Sequence, residues 1–321
     1  MAARSGAAGP SPGAPRWRAG QGRRGGGRHV ADRALEVLAP GPLATVQDAG
    51  RHGHAALGVG ASGAADAASY ARANRLLANP EGAAALEVTM GGLALRARGE
   101  VWVAVTGAPC PVRVGGRGAA TAEVLRLRDG EELRLGPPAR GLRSYVAVRG
   151  GVDVPAVLGS RSTDVLSGLG PRPLSAGDLL PVGEPPRAFP VLDAVPEPPV
   201  GGDRLELGVV LGPRDDWFAP EAVEALLGRE FEVTGRSDRV GMRLAGPALP
   251  RAVGGELPTE GMVPGSLQVP PDGEPVLFLA DHPVTGGYPV IAVVRSADLP
   301  RAAQARPGTR LSFAAQPPDG P

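Results

Sequence analysis

The 321-residue chain carries 34 basic side chains against 33 acidic ones, and every basic residue is arginine. The absence of lysine excludes a Schiff-base lysine, a P-loop lysine and any residue of this chain on which biotin or lipoate could be carried. A single cysteine excludes an internal disulfide and a cysteine-rich zinc site, no apolar run reaches the ~20 residues of a membrane span, and 3% aromatic content argues against a stacking platform for single-stranded nucleic acid.

The net charge of +1 averages two unlike parts. Residues 1–33 hold seven arginines against Asp32, a surplus of +6 that leaves −5 for the rest. This Gly/Ala/Pro/Arg-rich leader cannot bury enough apolar surface to offset its ordering entropy, so disorder is expected. Its Arg23–Arg28 run resembles an arginine–glycine arm for nucleic acid, and its arginine excess resembles a transit peptide. The favoured reading is an over-assigned start in a GC-rich coding sequence, with authentic translation beginning near Val30. No nucleic-acid or membrane partner is expected.

From about residue 34 short apolar runs alternate with Gly, Pro and Asp. Strands are predicted over 34–38, 86–89, 93–97, 101–106, 123–127, 132–135 and 144–149. A helix is predicted from about Ala65 to Leu77, ended by Asn79-Pro80. Seven prolines between residues 181 and 199 mark a linker or draped crossover. A second strand set follows at 204–211, 230–234, 241–244, 266–269, 275–280, 290–295 and 309–313. Its one helix starts at Pro220 and stops at Gly228. The fold class is mainly β with few helices, arranged as a leader (1–33), a first lobe (34–190), a linker (191–202) and a second lobe (203–316).

Four isolated signals carry no weight. Gly9–Gly13 fits a serine elbow but lies in the leader, and Cys110 has no base near it in sequence. Gly58–Gly63 fits the dinucleotide fingerprint, but so does Gly20–Gly25, as expected by chance at this glycine content. His52 and His54 lack a third ligand, so no metal site is predicted.

Polar residues cluster instead in short turns. Thr45–Arg51 presents Gln47, whose amide both donates and accepts, with Asp48 and Arg51. Ser62, Asp66 and Asn74 follow, although Ser62 and Asp66 could equally be helix caps. Ser160, Arg161, Ser162 and Thr163 form a cradle suited to a carboxylate or phosphate, or simply a capped turn. The second lobe adds Arg239, Glu260, Gln268 and the run Gly286-Gly287-Tyr288.

Together, Thr45-Val46-Gln47-Asp48-x-Gly50-Arg51, Gly60-x-Ser62-Gly63-x-x-Asp66, Ala73-Asn74, Gly159–Thr163, Ser237-Asp238-Arg239-x-Gly241, Glu260-Gly261, Gly265-x-x-Gln268 and Gly286–Pro289 closely resemble the biotin-dependent carboxyltransferase, or allophanate hydrolase subunit 2-like, family. The resemblance spans roughly residues 35–314. It implies two tandem cyclophilin-like β-barrel lobes and a cytoplasmic component of an ATP-dependent 5-oxoprolinase, acting on a small-molecule amide and inactive without its partners. The implied partners are the B component of such an enzyme, of allophanate hydrolase subunit 1 type, and its A component. Mg-ATP would be shared among them, with no biotin on this chain. Gln47, Asp48, Arg51, Arg161, Arg239 and Glu260 become the catalytic candidates. Ser62, Asp66, Asn74, Ser160, Ser162, Thr163, Gln268, Gly286, Gly287 and Tyr288 become the substrate-binding candidates. A carboxyltransferase of urea-carboxylase type and a KipA-type regulatory binding protein are the alternatives. Pro283 and Val284 replace an expected Gln and Thr, removing a side-chain amide, and Thr259 stands where Ser is usual.

Overall fold

A computed structural model describes residues 33–189, 191, 194–196, 198, 200–255 and 257–317. The expected leader, apart from Arg33, and part of the expected linker lie outside the described residues.

The first lobe contains β1 (Ala34–Pro40), β2 (Leu43–Gln47), α1 (Ala67–Leu76), β3 (Ala85–Thr89), β4 (Leu93–Arg98), β5 (Val101–Gly107), β6 (Val112–Val114), β7 (Arg117–Ala119), β8 (Val124–Leu127), β9 (Glu132–Leu135), β10 (Arg143–Val148) and β11 (Leu179–Pro181). These form two sheets, ordered β11-β1-β4-β9-β6-β7 and β2-β3-β10-β5-β8. Alternation explains how the second sheet is covered on both faces. Val101, Val103 and Val105 of β5, with Val146 and Val148 of β10, enter a core shared with Leu35, Val37 and Leu95 of the other sheet. The opposite face carries Ala85, Ala104, Tyr145 and Ala147, small enough around one tyrosine for α1 to pack through Tyr70, Ala73, Leu76 and Leu77. Asp66 caps α1, its Oδ1 accepting from Ser69 N at 2.9 Å.

The second lobe comprises β12 (Arg204–Leu211), α2 (Pro220–Gly228), β13 (Phe231–Val233), β14 (Gly241–Ala245), β15 (Glu260–Gly261), β16 (Ser266–Gln268), β17 (Val276–Phe278), β18 (Thr285–Gly286), β19 (Val290–Val294), α3 (Leu299–Ala302) and β20 (Arg310–Ala315). Seven of its strands close a barrel in the order β12-β19-β16-β17-β14-β13-β20, and β15 and β18 pair separately. Closure rests on the parallel pairing of β12 with β20; the other barrel pairs are antiparallel. Leu205, Leu207 and Val209 of β12 meet Phe231, Leu244 and Phe313 in its core, while α2 adds Ala222 and Leu226. Among the described residues the architecture is mainly β with few helices, as expected, and α3 is a third short α-helix beyond the two predicted. No helix among the described residues is long and apolar enough to cross a membrane.

The lobes are joined by buried polar contacts. Gln304, just after α3, accepts from Leu142 N at 2.8 Å and Arg143 N at 2.9 Å, and donates to Asp66 Oδ2 at 2.7 Å and Arg143 O at 2.8 Å. Arg306 donates to Pro138 O at 2.6 Å and to Gly141 O, and Arg143 donates to Ala303 O. The Pro-rich segment is draped rather than free where it is described. Ala194 bridges to Glu123, Val195 packs under α1, and Arg149 lies 4.6 Å over the Phe189 ring.

Candidate functional site

The end of β2 organises the site. Thr45 and Gln47 point to one face of the strand while Ala44 and Val46 enter the core. Past Asp48 the chain reverses at Gly50, whose φ is +95°; a Cβ there would approach Ala61 O to 2.8 Å. That close approach lets Arg51 N bond Ala61 O at 2.8 Å and directs the Arg51 side chain inward.

Residues 160–163 lie against this turn. Thr163 N donates to Val46 O at 2.9 Å, and Gln47 Nε2 donates to Thr163 O at 2.9 Å and Thr45 Oγ1 at 3.0 Å. Asp48 accepts from Ser160 Oγ and Ser162 Oγ at 2.6 Å each, Arg161 N at 2.5 Å and Gly50 N at 2.8 Å. Burial pushes the Asp48 carboxyl up, but these hydrogen bonds outweigh it and leave it below the ordinary value. The two polar turns read separately in the sequence are thus one structure, about 110 residues apart in the chain.

Arg51 is the unusual member. Only 2% exposed, it donates from Nη2 to Ser162 O, while Nε and Nη1 have no hydrogen-bond partner. Gln47 Oε1 and Thr163 Oγ1 are also buried without partners. Gly170 covers this group with φ +82°; a Cβ there would overlap Ser162 O and stand 3.1 Å from Arg51 Nη2.

The second lobe reaches the same place through Asp281, which follows β17. Ser62 Oγ donates to Asp281 Oδ1 at 2.6 Å and to Thr163 O at 3.2 Å, from a backbone held at φ 54°. Val165 N donates to Asp281 Oδ2 at 3.0 Å. Arg239, 1% exposed, grips both Asp281 oxygens at 2.9 Å, donates to Gly63 O at 2.6 Å and pairs with Glu87. Glu87 also accepts from Tyr145 OH at 2.7 Å and Ala65 N at 2.9 Å, with Arg143 Nε 3.4 Å away. Burial alone would push the Glu87 carboxyl up, yet the charges of Arg239 and Arg143 bring it below the ordinary value.

Beside this network lies a cavity of about 340 Å³, bounded by Asp48, Ser62, Tyr70, Asn74, Asn79 and Glu81. A second, of about 210 Å³, lies between the lobes and shares Ser62 as a wall with Leu279 and Leu299. Asn74 Nδ2 donates to Ala83 O at 2.9 Å and its Oδ1 accepts from Asn79 Nδ2 at 2.8 Å, which fixes the amide at the first cavity's edge.

The structure therefore brings together Gln47, Asp48, Arg51, Ser62, Ser160, Ser162 and Thr163, with Asp66 and Asn74 alongside. Arg161 contributes its backbone N–H; its guanidinium turns away to Val154 O at 2.7 Å and Asp153 at 2.8 Å. Arg239 is enclosed by its carboxylates. Glu260, Gln268, Gly286, Gly287 and Tyr288 form a separate group in the second lobe. There Glu260 pairs with Arg214, Gln268 Nε2 donates to Tyr288 O at 3.0 Å, and Arg251 lies 5.6 Å over the Tyr288 ring. Sequence reasoning missed Glu87 and Gln304, and read Asp281 only as the start of the polar run that ends at Pro289, without counting it among the candidates. Glu87 reads as the solvent position of an alternating strand, and α1 covering that face is a tertiary fact.

Residues 57–315 match the family described as carboxyltransferase domain, subdomain A and B. Over 282 residues the chain is 37% identical to the C component of 5-oxoprolinase from Escherichia coli (strain K12), spanning 87% of this chain and 90% of that protein. Its 34% identity to urea amidolyase of Lachancea kluyveri spans 87% of this chain and only 17% of the relative. The crystal structure of TTHA0988 superposes with a TM-score of 0.81 at 37% identity, covering 96% of this chain and 59% of the other.

Proposed function

The chain belongs to the carboxyltransferase family of paired subdomains A and B, and from that membership we propose that it is one component of an ATP-dependent, cytoplasmic 5-oxoprolinase. The observation that carries the reading is the similarity to a 5-oxoprolinase C component along 90% of that protein's length. The reaction opens a lactam: water adds to the ring carbonyl carbon, the C–N bond breaks, the nitrogen takes a proton, and glutamate forms. ATP would supply the driving force: transfer of its terminal phosphoryl group to the lactam oxygen would release ADP, ring opening by the first water would leave an acyl phosphate, and a second water would cleave that to glutamate and phosphate.

This chain's residues suit substrate binding. The cavity edged by Asp48, Ser62 and Asn74 offers fixed polar groups of known direction, because each is already held by its neighbours. Among the described residues no group of three His, Cys, Asp or Glu converges, whereas Mg²⁺ carried on a nucleotide needs only one or two carboxylates beside phosphate and water. The reading shares the metal–nucleotide between this chain and the partner A and B components.

The test is reconstitution of purified chain with homologues of the 5-oxoprolinase A and B components, ATP and 5-oxoproline. Glutamate formation that requires every protein supports the reading, and absence of turnover in every mixture overturns it. The similarity to urea amidolyases favours a second reading, a carboxyltransferase of urea-carboxylase type. Lacking lysine, this chain would then need a separate biotin carrier. ATP- and bicarbonate-dependent carboxylation of urea by this chain mixed with a biotin carboxylase and a biotinylated carrier would establish it.

A further inference from the structure

We propose that the cavity beside α1 holds a small acid by its two ends, with Arg75 taking a single carboxylate and Asp48 taking the N–H next to it. The inference rests on the reading above for the identity of that ligand, and on the lining of the cavity for its chemistry.

At about 340 Å³ the cavity stands near the lower end of ligand sites, so it suits a small molecule. Ala67, Ala71 and Arg75 form one stripe of α1 along its wall, and the two alanines leave the space open. The turn after the helix closes another side: a Cβ on Gly82 would stand 4.0 Å from that of Ala49. Asp48 lies toward the N-terminal end of the helix, where Ala64 N donates to Asp48 O at 3.0 Å. Most polar groups of the lining are spent on one another. The Tyr70 hydroxyl and Asn74 Nδ2 both donate to Ala83 O at 2.9 Å, and Asn79 Nδ2 donates to Asn74 Oδ1 and Val148 O at 2.8 Å each.

Three charged groups of the lining remain: Asp48, Arg75 and Glu81. Asp48, 6% exposed, is a buried carboxylate with no cation within 4 Å among the described residues. Three of its four hydrogen bonds fall on Oδ1, and Oδ2 takes only Arg161 N. An ionised oxygen with a site left for a second donor, at the edge of a cavity, calls for an N–H. Its charge is felt across the lining: burial, and then Asp48, push the Tyr70 hydroxyl up. Arg75 is the one cation of the lining, and neither it nor Glu81 has a side-chain partner among the described residues. Arg75 and Asp48 are thus more than 4 Å apart, which leaves a ligand room between them. A helical side chain leans toward the helix N-terminus, which brings Arg75 back over Ala71 toward the Asp48 end. One guanidinium against two carboxylates admits one negative charge and repels a second. 5-Oxoproline is singly charged and bears its carboxylate and ring N–H on the same carbon, so it answers both ends. A phosphate dianion brings too much charge, and urea brings none.

Equilibrium titration calorimetry tests this on the full chain and on its complex with the 5-oxoprolinase B component. The probes are 5-oxoproline, 2-pyrrolidinone (no carboxylate), 5-oxotetrahydrofuran-2-carboxylate (ring oxygen in place of N–H), ureidoacetate and inorganic phosphate. Wild type should bind 5-oxoproline at least about tenfold more tightly than either the neutral lactam or the lactone acid. Phosphate should bind more weakly than 5-oxoproline. Arg75→Gln, at an exposed position, should fold, erase the preference over 2-pyrrolidinone and leave 2-pyrrolidinone itself within about twofold. Equal wild-type affinity for 5-oxoproline and the lactone acid overturns the proposal without recourse to any variant. So does unchanged 5-oxoproline binding by Arg75→Gln, phosphate binding as tightly as 5-oxoproline, or failure of every probe to bind either form. Arg75-dependent binding of ureidoacetate without 5-oxoproline binding upholds the receptor and rejects the 5-oxoprolinase reading.

Discussion

Replacing Arg239 by Met isolates what the buried charge network contributes. The arginine is 1% exposed and serves two carboxylates from different lobes, Glu87 and Asp281. Removing one partner of a buried ion pair costs about 3–5 kcal/mol, chiefly because the remaining charge is stranded. Glu87 keeps Arg143 at 3.4 Å, and Asp281 keeps Ser62 Oγ at 2.6 Å and Val165 N at 3.0 Å, which holds the loss inside that range despite two stranded groups. At about 2 °C per kcal/mol for a chain of this size, the melting temperature should fall by about 6–10 °C. The pH dependence has a definite sign. In the wild type the lowered Glu87 pKa contributes stability that is complete above the unfolded value of about 4.3 and is lost as pH falls through the folded value. In Arg239→Met burial dominates, the folded pKa rises, and protonation relieves the stranded charge. The deficit should therefore shrink between about pH 8 and pH 5. Scanning calorimetry across that range measures it. A variant melting within about 2 °C of wild type at about pH 8 would refute the reasoning.

Three further outcomes are expected. Asp48→Asn replaces an acceptor of four hydrogen bonds by a group that donates on one side, costing about 2–4 kcal/mol by urea unfolding at neutral pH. Because the wild-type Asp48 pKa is lowered, its contribution is present above about pH 4 and lost below, so the two proteins should converge in acid. Gly170→Ala places a side chain at φ +82° against Ser162 O, which should cost more than the about 1–2 kcal/mol of left-handed strain alone and lower the melting temperature accordingly. Gln304→Ala removes four hydrogen bonds between the lobes, worth about 1 kcal/mol each. Calorimetry should show that transition broaden or split as the lobes unfold less cooperatively.

Strands with strong local signals were legible from the sequence. β12, β9 and α2 match their predicted bounds, and most others differ by one or two residues. β2 was hidden because Thr45 and Gln47 look like turn residues; they occupy a strand face that becomes buried beside residues 160–163. β6, β7, β11, β15 and β18 have only two or three residues each, too few for periodicity to register.

What the sequence determined by itself was local and chemical. It set the β-rich character, the two strand groups, and the residue types at the polar turns. The missing lysines excluded a biotin carrier or P-loop on this chain. Tertiary structure decided which of those polar groups are spent and which remain open. Arg51, Arg161 and Arg239 are equivalent cations in the sequence. Folding gives Arg239 two carboxylates, turns Arg161 toward Asp153, and leaves Arg51 buried with unfilled donors. The physical reason is that a side chain's chemistry belongs to its residue type, whereas its desolvation and its partners depend on chain segments more than about a hundred residues away.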